Sequence, residues 1–145
     1  MSELSDKIHD QSKEHFDFVQ KARRHIHANP ELSFEERETS AFVQSELKAM
    51  GIPFKTGYAG HGIVAAVGNG SGKVIALRGD MDALPIQEEN DVAYKSTHDG
   101  VMHACGHDVH TSSVLGAAKI LKGLEKDWNG TVLLVFQPGE ELLPG

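Results

Sequence analysis

Residues 103–110 hold the densest group of reactive side chains in this sequence. Within this short segment lie three histidines, one aspartate and the only cysteine of the chain. Cys105 and His107 are separated by a glycine, which lets the backbone bend so that a thiolate and an imidazole can reach one ion. These donors suit zinc and the neighbouring transition metals. The segment therefore predicts part of a metal site.

A second signal is the adjacent pair Glu140 and Glu141, which follows the apolar residues 130–136. Neighbouring carboxylates at the end of a strand point in different directions, so one can bind a metal ion while the other faces a substrate. The carboxylate that faces the substrate could act as general base for a metal-activated water. This division of roles predicts hydrolysis of an amide or an ester.

Two aspartates, Asp80 and Asp82, follow another apolar segment. Enzymes with α/β folds bind ligands beyond the carboxyl ends of their strands. Because loops at one edge of a sheet can converge, we expect four groups of side chains to share one site. They are Asp80 with Asp82; Cys105, His107 and Asp108; His110; and Glu140 with Glu141.

Cys105 also allows a different interpretation, since a thiol beside a histidine and a helix start can be a nucleophile. The histidine base of such a pair usually comes from a distant part of the chain, whereas His107 is only two residues away. The other histidines near a predicted helix end, His25 and His27, are interpreted as surface or internally hydrogen-bonded side chains rather than ligands.

Apolar residues at helical spacing predict the helices that would position these groups. Residues 3–28 form one amphipathic helix that stops before Pro30, because the residue preceding a proline is disfavoured in a helix. A further helix is predicted over residues 111–126, with Asp108 or His110 near its N-terminus.

Ser33 and Glu36 have the spacing of a capping box, which predicts another helix over residues 34–49. Short apolar segments predict strands at residues 53–56, 62–67, 73–77 and 130–136. The turn residues 69–72 predict a hairpin between the second and third strands, and the apolar run of the last strand predicts burial on both faces. Helices that alternate with strands indicate an α/β layered fold, and the hairpin makes its sheet mixed.

Length and composition limit the class of protein. A chain of 145 residues with 39% hydrophobic and 24% charged residues has room for one globular domain. Its net charge of −7 argues against a nucleic-acid partner, and its single cysteine against an internal disulfide. Neither a signal peptide nor the roughly 18 apolar residues of a membrane helix is present, so we expect a cytoplasmic protein without a membrane partner.

Four segments, in this order, resemble one family. They are residues 23–27 with 30–33, residues 76–85, residues 102–110, and residues 137–141. The chain is similar to the N-terminal part of metal-dependent amidohydrolases such as hippurate hydrolase, N-acyl-L-amino acid amidohydrolases and IAA-amino acid hydrolases. These proteins belong to the aminoacylase–carboxypeptidase-like zinc peptidase superfamily. The resemblance implies a three-layer α/β/α catalytic domain with a mixed sheet, which is incomplete here.

The resemblance also implies roles for individual residues. Cys105, His107 and Glu141 would be metal ligands, and Glu140 the general base. Five residues would support the ligands or order the surrounding loops: Asp80, Asp82, His103, Asp108 and His110. The intact family site holds two divalent ions, which could be zinc, manganese, nickel or cobalt.

The implied reaction is hydrolysis of N-acetyl, N-benzoyl or similar N-acyl amino acids, carried out by a homodimer. Because family members are much longer, residues 1–145 are expected to be only the N-terminal portion of the catalytic domain. The lid and dimerisation domain and two further histidine ligands would be absent, so we expect this chain to be inactive alone. The alternative is a non-catalytic truncated product, or a metal-binding fragment that needs a missing second half.

Overall fold

A four-stranded mixed sheet sets the architecture of the computed structural model, which describes residues 3–143. Its strands are β1 (Phe54–Tyr58), β2 (Gly62–Gly68), β3 (Val74–Asp80) and β4 (Thr131–Gln137). They lie in the order β1-β2-β4-β3. The β1–β2 and β2–β4 pairs are antiparallel, whereas β3 is parallel to β4. The predicted mixed sheet is therefore present.

The helices are α1 (Glu3–Glu14), α2 (Phe16–Ala28), α3 (Arg37–Ala49) and α4 (His107–Gly123). They cover one face of the sheet and bury its alternating apolar residues. From the sheet, this core contains Ile63, Ala65, Val67, Val132, Leu134 and Phe136. The intervening residues of β4 are only half-buried, so the expectation that both of its faces are buried was wrong for residues 3–143. Two of the three expected layers are thus formed by the described residues.

The predicted first helix is divided into α1 and α2. His15 interrupts it with backbone angles of φ −94° and ψ 6°. Both parts pack on α4, but α1 buries no residue completely, whereas α2 buries Ala22 and Ile26. Within residues 3–143, no helix is long and apolar enough to cross a membrane.

The capping box predicted at Ser33 does not form. The helix begins at Arg37, and Phe34 adopts a left-handed φ of 66°, which takes Ser33 away from the helix start. The free amides of Glu38 and Thr39 donate instead to the carboxylate of Glu31, at 2.9 Å and 2.8 Å. A cap supplied from outside the helix releases Ser33 for a different contact.

The predicted hairpin between β2 and β3 was also wrong, because β4 lies between these two strands. The Oδ1 atom of Asn69 accepts hydrogen bonds from the amides of Ser71 (3.2 Å) and Gly130 (3.2 Å). The turn is therefore hydrogen-bonded to the residue before β4, and the chain does not form a hairpin with β2. As a result β3, α4 and β4 form a parallel crossover unit, and the ends of β3 and β4 lie at the same edge of the sheet.

Candidate metal centre

The turn before α4 and the turn after β4 bring the three predicted ligands together. Gly106 has a φ of 92°, which lets the chain reverse between Cys105 and His107, the first residue of α4. Glu141 arrives from the end of β4. The donor atoms of Cys105, His107 and Glu141 all lie within 4.8 Å of one another. The predicted ligands are thus neighbours, although they come from two distant segments.

The cluster fits a transition-metal ion. The Nε2 atom of His107 lies 3.7 Å from Oε1 of Glu141, close to the ~3.3–3.8 Å that separates two ligand atoms on a tetrahedral zinc. Oε1 of Glu141 is buried and has no hydrogen-bond partner within residues 3–143. A buried carboxylate oxygen is costly to leave unpaired, so a cation at this position would satisfy it.

Asp82 connects the two segments that carry the ligands. Nδ1 of His107 donates to the backbone oxygen (2.9 Å) and to Oδ1 (3.1 Å) of Asp82. The other carboxylate oxygen, Oδ2, accepts from the amide of Glu141 at 2.9 Å and from the hydroxyl of Ser33 at 2.7 Å. Because Nδ1 of His107 is the donor, its Nε2 is left with the lone pair that a metal requires.

The same hydrogen bonds shift both pKa values. Burial alone would raise the pKa of Asp82, but the hydrogen bonds from His107, Ser33 and Glu141 outweigh it and hold that pKa well below its usual range. Burial likewise opposes charge on His107, yet the hydrogen bond and negative charge of Asp82, together with the charge of Asp80, raise the pKa of His107. A metal ion must therefore displace a proton that His107 holds more firmly than usual.

Glu140 lies beside the ligand cluster and remains open to solvent. Its Oε2 is 3.7 Å from Nε2 of His107, and its Oε1 is 3.8 Å from Nη2 of Arg78. The side chain is 38% exposed, compared with 21% for Glu141. A carboxylate in this position can reach a water molecule beside the cluster, as the predicted general base requires.

Asp80 and His110 form a second acidic and imidazole group at the edge of the site. Oδ2 of Asp80 is 3.1 Å from Nδ1 of His110, and its Oδ1 is 2.9 Å from Nε of Arg78. Asp80 and His110 also lie within 4.8 Å of His107. Asp80 thus faces two positively polarised groups, and its supporting role stays a prediction.

Two further predicted supporting residues lie behind the ligands. Asp108 is fully buried and is 2.7 Å from Nδ1 of His27. His103 is 4% exposed, and neither of its ring nitrogens has a hydrogen-bond partner within residues 3–143. Burial lowers the pKa of His103 to about 4, so its ring is neutral at neutral pH.

Glu36 is a site residue whose role sequence reasoning missed. Its buried Oε1 accepts from the amide of Gly139 at 2.7 Å and from the amide of Phe34 at 3.0 Å. Gly139 immediately precedes the two site glutamates, so Glu36 fixes the turn that delivers them. Burial raises the pKa of Glu36. The sequence signal was present, but it was assigned to a local helix cap.

The thiol of Cys105 is exposed. The neighbouring side chain of Glu141, then burial and the other nearby carboxylate charges, raise the pKa of Cys105. A cysteine nucleophile requires a lowered thiol pKa, so this environment argues against the nucleophile interpretation. A bound cation would reverse the effect by stabilising the thiolate.

Comparison with known proteins shows which family this chain is similar to in sequence and fold. Residues 76–145 match Peptidase family M20/M25/M40. Bacillus subtilis YxeP, a dinuclear metal-binding peptidase from the M20 family, has the same fold with a TM-score of 0.84 and 41% identity. The match covers 89% of this chain and 36% of YxeP. The chain is thus similar to M20 peptidases in sequence and in fold, which confirms both the resemblance and the fold class predicted from sequence.

Within that class, the similar sequences include amidohydrolases. IAA-amino acid hydrolase ILR1-like 5 of Arabidopsis thaliana is 53% identical over 126 residues, which cover 87% of this chain and 29% of that protein. The N-acyl-L-amino acid amidohydrolase of Geobacillus stearothermophilus is 48% identical over 128 residues, which cover 85% of this chain and 34% of that protein. The chain thus spans about a third of the length of these relatives.

Proposed function

We propose that this chain is the N-terminal, metal-binding portion of an enzyme that hydrolyses the amide bond of N-acyl amino acids. The observation that carries the proposal is the convergence of Cys105, His107 and Glu141 within 4.8 Å, with Glu140 beside them. A thiolate, an imidazole and a carboxylate would hold one zinc, manganese, nickel or cobalt ion. The further donors of a two-ion site would come from outside these 145 residues.

The metal, when bound, supplies a Lewis acid that polarises the scissile carbonyl and favours deprotonation of the attacking water. Glu140 removes the proton of this water, whose oxygen then bonds to the carbonyl carbon. The carbon–nitrogen bond breaks, and Glu140 returns the proton to the leaving nitrogen. The products are a carboxylic acid and an amino acid, so atoms and charges balance. Asp82 keeps His107 and Glu141 in the orientation that binding requires.

The substrate class is supported by the relatives, whose names refer to IAA-amino acids and N-acyl-L-amino acids. In both cases the bond to be broken joins an acyl group to an amino-acid nitrogen. We extend this class to the present chain, with N-acetyl and N-benzoyl amino acids as the test substrates. A homodimer located in the cytoplasm is part of the same proposal.

A chimera tests the reaction separately from the limited length of the chain. Residues 1–145 would replace the matching third of the Geobacillus enzyme, which is 48% identical to them over 128 residues. We expect hydrolysis of N-acetyl amino acids, with kcat reduced at least about 100-fold in Glu140→Gln and the metal content unchanged. Glu35→Gln, at an exposed position of the same residue type, is the matched control. An active Glu140→Gln chimera would contradict the assignment.

The 145-residue chain itself should bind metal but show no sustained turnover, because we expect the two further histidine ligands of a two-ion site to lie outside these residues. Hydrolysis of N-acetyl and N-benzoyl amino acids would be measured with added manganese or zinc. Sustained hydrolysis by the wild-type chain that is abolished in Glu140→Gln would show that the reaction needs no residues beyond these 145. The DNA beyond codon 145 distinguishes the alternatives: an in-frame continuation with two further histidines indicates a longer enzyme, and a stop codon a non-catalytic product.

A further inference from the structure

His27 links two buried carboxylates that come from different parts of the chain. The residue lies in α2 and is only 3% exposed. Its Nδ1 is 2.7 Å from Oδ2 of Asp108, and its Nε2 is 3.0 Å from Oε1 of Glu88. These carboxylates are themselves 0% and 1% exposed. One imidazole thus contacts the first turn of α4 and the loop that precedes it.

Glu88 in turn organises that loop. Its Oε2 accepts from the amide of Ser96 at 2.6 Å, and its Oε1 accepts from the side-chain amide of Asn90 at 3.1 Å. Residues 86–106 contain no helix or strand. One isolated bridge joins Met102 to Leu84, and hydrogen bonds join Thr97 to Ala28 and His98 to Pro30. The conformation of this irregular segment therefore depends on a few specific contacts, of which the Glu88 carboxylate makes several.

We propose that His27 is a positioning residue for the metal centre. It closes the segment 88–108 by binding both of its ends, and this segment carries Cys105 and His107. This inference rests on the proposed metal site, because His27 can position ligands only if Cys105 and His107 bind a metal ion. With both ends of the segment fixed, the thiol and the imidazole approach Glu141 in a geometry that is set before any ion binds.

The buried cluster of His27, Glu88 and Asp108 consists of polar side chains, which favours a role in orientation over a role in stability. Burying charged groups is costly, and well-packed apolar residues of the same size often give equal or greater stability. What hydrogen bonds add is direction, because each nitrogen of His27 faces one defined carboxylate oxygen. Arg23 adds to the same side of α2: its Nε is 2.7 Å from Oδ2 of Asp108, and its guanidinium lies 4.9 Å from the ring centre of Tyr94. The helix is therefore anchored to both ends of the segment.

Cobalt binding by the 145-residue chain tests the proposal without any need for turnover. The variant is His27→Leu, and the matched control is His25→Leu, two residues away on the exposed side of α2. Affinity is measured by titration, and thiolate coordination by the sulfur-to-cobalt absorption band. We expect His27→Leu to bind at least about tenfold more weakly and to lose or shift this band. Binding within twofold of wild type in folded His27→Leu would overturn the proposal.

Glu88→Gln keeps the shape of its side chain and covers the case in which His27→Leu does not fold. It weakens one end of the link, so we expect several-fold weaker cobalt binding, and wild-type affinity would count against the role. Hydrogen exchange of the Ser96 and Met102 amides in metal-free protein is a second measurement, which does not depend on metal binding. These amides should exchange faster in the variants, while β2 and β4 remain protected.

The outcomes separate the two proposals. If wild-type chain binds no cobalt, the metal centre itself fails, and hydrogen exchange alone then decides whether His27 orders the segment 88–108. Unchanged exchange of Ser96 and Met102 in the variants would overturn that role as well.

Discussion

Replacement of Gly139 by alanine should disturb the turn that carries the two site glutamates. Gly139 has a φ of 66°, and an added Cβ would lie 2.5 Å from Cε1 and Cζ of Phe34. A left-handed backbone costs a residue with a side chain about 1–2 kcal/mol, and overpacking adds about 1–3 kcal/mol. We expect Gly139→Ala to reduce the free energy of unfolding by about 3 kcal/mol. Urea denaturation followed by circular dichroism measures it.

Gly51 provides a matched control, because it separates the two contributions. It has nearly the same φ, 67°, but nothing lies within 4 Å of an added Cβ. Gly51→Ala should therefore lose only the backbone contribution of about 1–2 kcal/mol. Any excess in Gly139→Ala measures the collision with Phe34.

Metal binding distinguishes the local effect from a general loss of stability. The amide of Gly139 donates to Glu36, so a shifted turn moves Glu140 and Glu141 away from His107. Gly139→Ala should bind cobalt more weakly, Gly51→Ala should not, and Phe34→Ala should partly restore binding to the Gly139 variant. Equal unfolding free energies for the two glycine variants would refute the reasoning.

Three further outcomes follow from the site. Asp82→Asn should weaken metal binding about 10- to 100-fold in a calorimetric titration, whereas Asp91→Asn at an exposed position should not; equal affinities would contradict the role of Asp82. Because the pKa of His107 is raised, protons compete with metal to a higher pH than usual, so affinity should rise with pH through the neutral range; a constant affinity would disagree. The pKa of His103 is lowered from 6.5 to about 4, so the stability linked to its neutral form is complete above pH 6.5 and declines as pH falls toward 4. In denaturant titrations, the free energy of unfolding of His103→Asn should fall less steeply between pH 6.5 and 4 than that of the wild type. The same pH dependence in both proteins would exclude His103 as its source.

The approximate positions of the helices and strands, and the proximity of Cys105, His107 and Glu141, follow from local patterns, and they were predictable for that reason. Apolar spacing locates the helices, and the paired glutamates follow a strand that ends where it was expected. The order of the strands was not predictable, because the hairpin signal at residues 69–72 is local. Its Asn69 side chain instead bonds to Gly130, sixty-one positions along the chain.

The contacts that hold the site together were missed for the same reason. Ser33 and Glu36 match a helix cap three residues apart, yet they bond to Asp82 and Gly139, which are 49 and 103 positions away. A short sequence pattern cannot rank a local partner against a distant one when both offer a hydrogen bond. His27 was interpreted as a surface or internally hydrogen-bonded side chain, and only the fold identifies its two buried partners.

X-ray absorption spectroscopy of the zinc-loaded chain tests the central claim, that Cys105, His107 and Glu141 bind one metal ion. The predicted spectrum contains one sulfur ligand at about 2.3 Å and nitrogen or oxygen ligands at about 2.0–2.2 Å. Cys105→Ser should lose the sulfur contribution, and His107→Ala should lose the imidazole scattering. Zinc bound only by nitrogen and oxygen in the wild-type chain, or a spectrum unaffected by Cys105→Ser, would contradict this assignment.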